Sequence, residues 1–279
     1  MATTVTPTPL ETLLRRDRTL VLASLVGLTA LAWLHLVHMA LAMGTGAMGG
    51  GTAGGMDMGA MGGAMTMAPV AWDAAHFAIM FAMWAIMMVG MMLPSAAPMI
   101  LLFAAIDRRK QLSRSPLRRT AVFTLGYLLV WTAFSLAATA LQWGLNQAAL
   151  LSPMMVSTSR VLGATLFIAA GIYQLTPLKH ACLAHCRSPV HFIAAHWRPG
   201  TAGALRMGVE HGAYCVGCCW FLMGLLFAGG VMNLLWVAAI AAFVLVEKLA
   251  PRGEMVARAS GVLMIAFATY LLLQLRLHM

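Results

Sequence analysis

Long apolar runs recur along the chain and are separated by short polar or basic stretches. A helix needs about 20 apolar residues to cross the roughly 30 Å hydrocarbon core of a bilayer. The pattern therefore predicts an all-α fold, a polytopic transmembrane helical bundle of about seven spans with a cytoplasmic N-terminus. The fourth span is the weakest because Arg160 lies near its start. The predicted spans are 19–43, 75–106, 120–143, 155–176, 205–228, 232–250 and 254–276.

These spans divide the chain into four parts. We expect residues 1–18 to form a cytoplasmic tail, 19–43 the first transmembrane helix, and 72–279 a metal-binding membrane domain. The apolar part of the first span exceeds the roughly 7–15 residues of a signal-peptide core, so we expect an uncleaved anchor. Residues 44–71 form a loop rich in Gly, Ala and Met, which we place in the periplasm. So much glycine predicts a loop without a core of its own.

Prolines mark two regions that depart from plain helices. Pro94 and Pro98 lie inside the second span, where a membrane helix bends and exposes carbonyls only against protein or water. The bend predicts a cavity or a moving element, and the alternative is a static packing kink. The inner segment 177–204 is also interrupted by prolines. We expect it to fold against the membrane surface with a short amphipathic helix near 188–197.

Composition and charge agree with a membrane protein. The chain is 61% apolar and 9% charged, whereas globular domains carry about 25% charged residues. Sixteen of the 18 Lys and Arg residues fall on the predicted inner side, leaving only Arg160 and Arg276. This positive-inside pattern sets orientation and contacts anionic lipid. It favours the bacterial inner membrane, with the lipid bilayer as a partner, and argues against nucleic acid.

All five cysteines lie between Cys182 and Cys219. The cytoplasm keeps thiols reduced, so thiolate ligation is favoured over disulfides. On an ideal helix, one face of the fifth span carries Met207, His211, Cys215 and Cys218 within roughly an 80° arc. Such spacing suits a soft metal whose further ligands come from the inner segment. The candidate metal ligands are His180, Cys182, His185, Cys186, His211, Cys215, Cys218 and Cys219.

Methionine provides a second set of soft donors. The chain has 24 Met, and thioethers bind Cu(I) without deprotonation. Two Met-x-Met pairs lie in the 44–71 loop. The alternatives are that Met fills gaps in a membrane core, or that the loop reflects low-complexity drift. The candidate ligands on the first two spans are His35, His38, His76, Met80, Met83, Met87 and Met91, of which the last five share a face of the second span.

Other chemistry is sparse. Glu210 is costly within a span unless paired. It is a candidate proton acceptor, a support for His211 or a salt-bridge partner of Arg206. The chain has no P-loop, nucleophile elbow, dinucleotide fingerprint or zinc-protease motif. The sequence leaves enzymatic activity undecided and favours a non-enzyme.

Several motifs resemble a known family. Tyr173-Gln174-Leu175-Thr176-Pro177-Leu178-Lys179 precedes Cys182 and Cys186, and Cys215 is followed by Gly217-Cys218-Cys219-Trp220. Together with Met91-Met92-Leu93-Pro94-Ser95 in the second span, they resemble the bacterial family of predicted metal-binding integral membrane proteins over most of residues 70–275. The resemblance implies metal binding in a membrane and leaves the 44–71 loop outside its scope.

The combined interpretation is an inner-membrane protein that binds a soft transition metal, with copper favoured and zinc the alternative. Periplasmic Met and His side chains capture Cu(I), the Met face of the second span passes it inward, and the Cys/His cluster receives it. A periplasmic or membrane protein is a candidate partner. Two rivals stay open: a zinc-stapled membrane scaffold or assembly subunit, and a membrane thiol oxidoreductase.

Overall fold

The computed structural model describes residues 9–44, 72–109, 116–148 and 160–277. Within these ranges the chain is helical and contains no strand. The predicted all-α fold is therefore confirmed. The helices are α1 (Pro9–Gly44), α2 (Ala74–Arg109), α3 (Pro116–Gln147), α4 (Arg160–Leu175), α5 (Pro177–Arg187), α6 (Pro189–His196), α7 (Gly200–Gly224), α8 (Leu226–Gly229), α9 (Leu234–Leu249) and α10 (Gly253–Leu277).

Several of these helices are long and apolar enough to cross a membrane. Five such segments occur in the described residues: Arg16–Ala42, Ala74–Arg109, Leu117–Gln147, Gly200–Gly229 and Gly253–Gln274.

A sixth arises if α4 and α5, which meet at a 67° bend, form one broken span. Helix α9 has 16 residues, or roughly 24 Å at 1.5 Å per residue, which is short for a bilayer. The predicted total of seven, the cytoplasmic N-terminus and the four-part domain division stay predictions.

Prolines start the helices of the inner segment rather than disrupting it. Pro177 begins α5, where the Thr176 side chain accepts a hydrogen bond from the Lys179 amide. Pro189 begins α6, so the short helix predicted near 188–197 lies at Pro189–His196. Proline is suited to the first turn because its missing N–H has no helical partner there. The sequence interpretation did not foresee α5, which carries Cys182 and Cys186.

Glycines let α3 and α7 approach until their backbones touch. A Cβ on Gly208 would overlap the Phe123 carbonyl oxygen, and one on Gly126 would overlap the Leu205 carbonyl. Small residues allow this close approach between membrane helices. The α3–α7 contact places Tyr127 of α3 beside the cysteines of α7.

Helix α2 remains helical through Pro94 and Pro98. A cavity of about 640 Å³ lies beside both prolines and is also lined by Asp17, Arg18 and Arg109. This observation agrees with the cavity alternative for the proline motif. Residues 45–71 of the predicted loop, including both Met-x-Met pairs, lie outside the described residues.

Candidate metal site

The polar stripe predicted on the fifth span is buried. His211, Cys215, Cys218 and Cys219 of α7 are between 1% and 3% exposed. The five cysteines are free thiols. The three α7 thiols therefore lie inside the bundle rather than at the lipid surface.

Cys215 is the centre of the hydrogen bonds in this region. Lys248 Nζ of α9 donates to Cys215 Sγ at 2.9 Å and to Ser95 Oγ of α2 at 3.0 Å. Tyr127 Oη lies 3.1 Å from the same sulfur and donates to the Met92 carbonyl at 3.1 Å. Side chains of α3 and α9 thus meet at one sulfur atom of α7, and α2 hydrogen-bonds to both of them.

The other thiols surround Cys215. Cys218 Sγ and Cys219 Sγ both donate to the Cys215 carbonyl, at 3.1 and 2.9 Å. Met92 Sδ lies 4.0 Å from Cys219 Sγ. The Cys186 side chain of α5 lies close enough to the Cys215 and Cys218 side chains to interact with both. We call Cys186, Cys215, Cys218 and Cys219 the thiol cluster.

Cys182 lies one turn before Cys186 on α5 and has a different neighbour. Its Sγ would be 2.8 Å from a Cβ on Gly217, so the thiol packs directly against the α7 backbone. The Gly217 carbonyl accepts a hydrogen bond from the Tyr173 hydroxyl. Cys182 thus helps dock α5 on α7.

The predicted histidines do not join the thiols as a ligand set. His185 stacks on Tyr214 with ring centroids 4.3 Å apart, and its Nδ1 lies 2.8 Å from the Ala181 carbonyl. His180 is half-buried, and its Nδ1 has no hydrogen-bond partner among the described residues.

His211 is enclosed by aromatic rings. Its ring stacks with those of Tyr127 and Phe123 at 5.6 and 6.2 Å, and Phe192 approaches edge-on at 5.4 Å. His211 Nδ1 is buried and has no partner among the described residues. A buried nitrogen of this kind is costly unless a further group satisfies it.

The methionine face of α2 points into the core. Met80, Met83, Met87 and Met91 are 1–6% exposed. Met80 Sδ accepts a hydrogen bond from Gln142 Nε2 at 3.7 Å. The burial is compatible with both the ligand interpretation and the gap-filling alternative.

The histidines near this face differ in their surroundings. His76 is half-buried and packs edge-on against Trp72, with centroids 4.8 Å apart. His35 and His38 on α1 are exposed. The predicted capture site stays a prediction.

Two lysines that the sequence interpretation assigned to the basic inner side, Lys179 and Lys248, are buried in the structure. This is the main difference between the sequence interpretation and the structure. Lys179 is 0% exposed, and its Nζ lies 2.8 Å from Glu247 Oε2. Lys248 is 6% exposed.

Glu210 forms salt bridges with Arg206 at 3.1 Å and with Arg198 at 3.3 Å, which confirms the salt-bridge alternative for this residue.

Sequence reasoning missed Lys248, Ser95 and Tyr127 as neighbours of the cysteines. The available signal was Glu247-Lys248 inside the predicted apolar span 232–250, because ionisable residues in a span need a partner. Tyr127 gave no comparable signal.

The arrangement contains soft donors but not a closed coordination sphere. In the described ranges, no group of three or more His, Cys, Asp or Glu side chains is placed so that it could hold a metal ion. Two of the thiols point at the Cys215 carbonyl, and Lys248 contacts Cys215. The donor chemistry, thiols with one thioether nearby, still fits a soft ion.

The fold and site define a helical protein with candidate membrane spans and a buried thiol cluster. A family model described as PpoB2, copper chaperone, matches residues 81–271. The match covers more than half of the chain, so the protein belongs to this family. This match agrees with the sequence resemblance in one respect: both indicate a family related to metal. No curated protein and no solved structure matched the chain.

Proposed function

We propose that this protein binds Cu(I) at the thiol cluster, within the bacterial inner membrane, and passes it to a protein partner. The observation that carries the proposal is the convergence of Cys186 from α5 with Cys215 and Cys218 from α7. Thiolates prefer soft ions such as Cu(I), and the family description names a copper chaperone.

Metal binding would begin with movement of the cysteine side chains. Cys218 and Cys219 now donate to a carbonyl oxygen of their own helix. Rotation about χ1 would release both thiols toward Cys215 and Cys186, and binding would release their protons.

The methionine face of α2 supports a route to the cluster. Met80 and Met92 are 12 residues apart on one helix, which corresponds to roughly 18 Å. Met92 ends the series beside Cys219. We propose that Met80, Met83, Met87 and Met91 relay Cu(I) from an outer capture region that includes His35, His38, His76 and the 44–71 loop.

The proposal is tested by metal content. Wild-type protein and Cys215→Ser/Cys218→Ser, purified in detergent, are loaded from a bicinchoninate-buffered Cu(I) solution. X-ray absorption then reports the ligands. We expect sulfur-coordinated copper in the wild type and its loss in the double variant. Equal copper in both proteins would overturn the site, and one equivalent of zinc without copper would favour the stapled scaffold.

One observation favours a second candidate function, a membrane thiol oxidoreductase. A lysine beside a thiol stabilises the reactive thiolate, and Lys248 Nζ contacts Cys215 Sγ. This function requires Cys215 or Cys218 to be oxidised during turnover. Mass spectrometry after differential thiol labelling tests it: thiols that stay reduced through repeated exposure to a disulfide substrate would exclude it.

A further inference from the structure

Two cavities between α1 and α2 form one groove. The larger, of about 640 Å³, and a smaller one of about 360 Å³ share Pro94 and Ala97 of α2 in their walls. Arg18 and Ala30 of α1 line its two ends, and they are roughly 18 Å apart along the helix. One leaflet is half of the roughly 30 Å hydrocarbon core of a bilayer. The groove is therefore long enough to hold an acyl chain over the whole depth of a leaflet.

One end of the groove carries positive charge. Asp17, Arg18 and Arg109 line this end. Asp17 forms a salt bridge with Arg108, so its charge is compensated. Arg18 and Arg109 are exposed and take part in no salt bridge among the residues that the structure describes. The Asp17–Arg108 contact also places the first turn of one candidate span beside the last turn of another. The charged end thus lies where lipid headgroups meet the ends of membrane helices.

At its other end the groove is closed by contact between α1 and α2. Pro94 has no N–H, so the Gly90 carbonyl four residues earlier loses its helical donor. The indole of Trp33 on α1 donates to this carbonyl instead, at 3.2 Å. A Cβ on Gly90 would lie 3.3 Å from Ala32 Cβ. Beyond this contact α2 presents Pro94 and Ala97 to the groove, and their short side chains leave room between the helices.

We infer that this groove is a binding site for an anionic phospholipid, with one acyl chain between α1 and α2 and the headgroup phosphate on Arg18 and Arg109. Guanidinium groups bind phosphate oxygens through paired hydrogen bonds. Basic pockets between membrane helices recognise anionic headgroups on the cytoplasmic side, where the sequence predicts both arginines. The inference goes beyond copper handling and uses only the membrane location from the proposed function.

The groove and the thiol cluster involve different residues of α2. Ser95 accepts a hydrogen bond from Lys248 beside the thiol cluster, whereas Pro94 and Ala97 line the groove. Lipid binding and copper binding can therefore be changed separately by substitution, and the loss of one does not decide the other.

Native mass spectrometry of delipidated protein in detergent tests the site. Binding of phosphatidylglycerol is compared with that of phosphatidylcholine of the same acyl chains, in wild type and in Arg18→Gln/Arg109→Gln. Both lipids carry a phosphate, but only phosphatidylglycerol has a net negative charge. Each basic residue near a membrane surface contributes a factor of roughly five to the binding of anionic lipid. We therefore expect wild type to prefer phosphatidylglycerol and the double variant to lose roughly tenfold or more of that preference.

A second pair of variants tests the apolar part of the groove. Ala97→Phe places a ring in the walls of both cavities and should weaken the binding of both lipids. Ala137→Phe, at an exposed position of α3, is its control and should bind both lipids as wild type does. Arg258→Gln removes an exposed positive charge of α10 that does not line the groove. It should keep the preference for phosphatidylglycerol.

Thermal unfolding in detergent identifies the variants that are folded. An equal preference in wild type and the double arginine variant, or unchanged lipid binding in folded Ala97→Phe, would overturn the inference. A wild-type dimer without bound lipid would also overturn it, since a second copy of the chain would then occupy the groove. Wild-type protein that prefers phosphatidylglycerol but binds no Cu(I) would support the lipid site and overturn the proposed copper function alone.

Discussion

Lys179 Nζ and Glu247 Oε2 lie 2.8 Å apart, with 0% and 1% of their side chains exposed. Glu247 Oε1 also accepts from Gln174 Nε2 at 2.5 Å. The Glu247 carboxylate on α9 therefore links α4 and α5 to α9, one residue before the Lys248 that contacts the thiol cluster. A pair buried this deeply is compensated only while both partners are present.

Removal of one partner should destabilise the protein strongly. We expect Lys179→Met to lower the free energy of unfolding by about 3–5 kcal/mol, because an unpaired carboxylate stays buried. Lys179→Met/Glu247→Leu should recover most of the loss. Thermal unfolding in detergent measures both. Arg206→Met, which breaks a largely exposed contact with Glu210, serves as the control and should change little. A double variant no more stable than the single one would contradict the explanation.

The close α3–α7 approach depends on glycine at Gly208. Gly208→Ala places a methyl group against the Phe123 carbonyl, so the helices must separate, at a cost of about 1–3 kcal/mol. Because Tyr127 and the cysteines lie across this contact, copper binding should weaken as well. The measurements are thermal unfolding and Cu(I) stoichiometry.

Gly144→Ala on the same α3 is the matched control, since nothing lies within 4 Å of a Cβ there. We expect it to leave the unfolding temperature unchanged or slightly higher, because alanine favours helix. Similar losses in both variants would show that the close contact is not the cause.

Cys182 and Cys186 should differ in their effect on metal binding although they occupy successive turns of α5. Cys186→Ser removes a thiol that contacts Cys215 and Cys218, so we expect weaker Cu(I) binding. Cys182→Ser changes a thiol that packs on Gly217, so copper affinity should be retained. Competition with bicinchoninate measures both variants. The reverse order would move the site toward Cys182.

The buried amide of Gln142 on α3 should stabilise the α2–α3 contact near Trp84. Its Oε1 accepts from Trp84 Nε1 at 2.6 Å, and its Nε2 donates to Met80 Sδ. Gln142→Leu leaves the indole N–H without this acceptor, at a cost of about 1–3 kcal/mol. Gln147→Leu, at an exposed position of α3, is the control. Equal unfolding temperatures for the two variants would contradict this role.

The helical class, most helix positions and the shared face of His211, Cys215 and Cys218 could be predicted, because hydrophobic runs and helical periodicity are local properties. Helix α5 could not be predicted, because the three prolines of the inner segment are equally compatible with interruptions of a helix and with starts of helices. The same prolines occupy starts of helices, where their geometry is favourable.

By itself the sequence determined which residues could share a face: the α7 cysteines, and the methionines of α2. Only the tertiary structure decided that the Lys248 ammonium would contact the Cys215 sulfur. The proximity of Cys186 to Cys218 was likewise decided by the tertiary structure. Those contacts depend on how α5, α7 and α9 are rotated and shifted against one another, which packing across distant segments sets. A periodic pattern describes the face of one helix and carries no information about which face of another helix meets it.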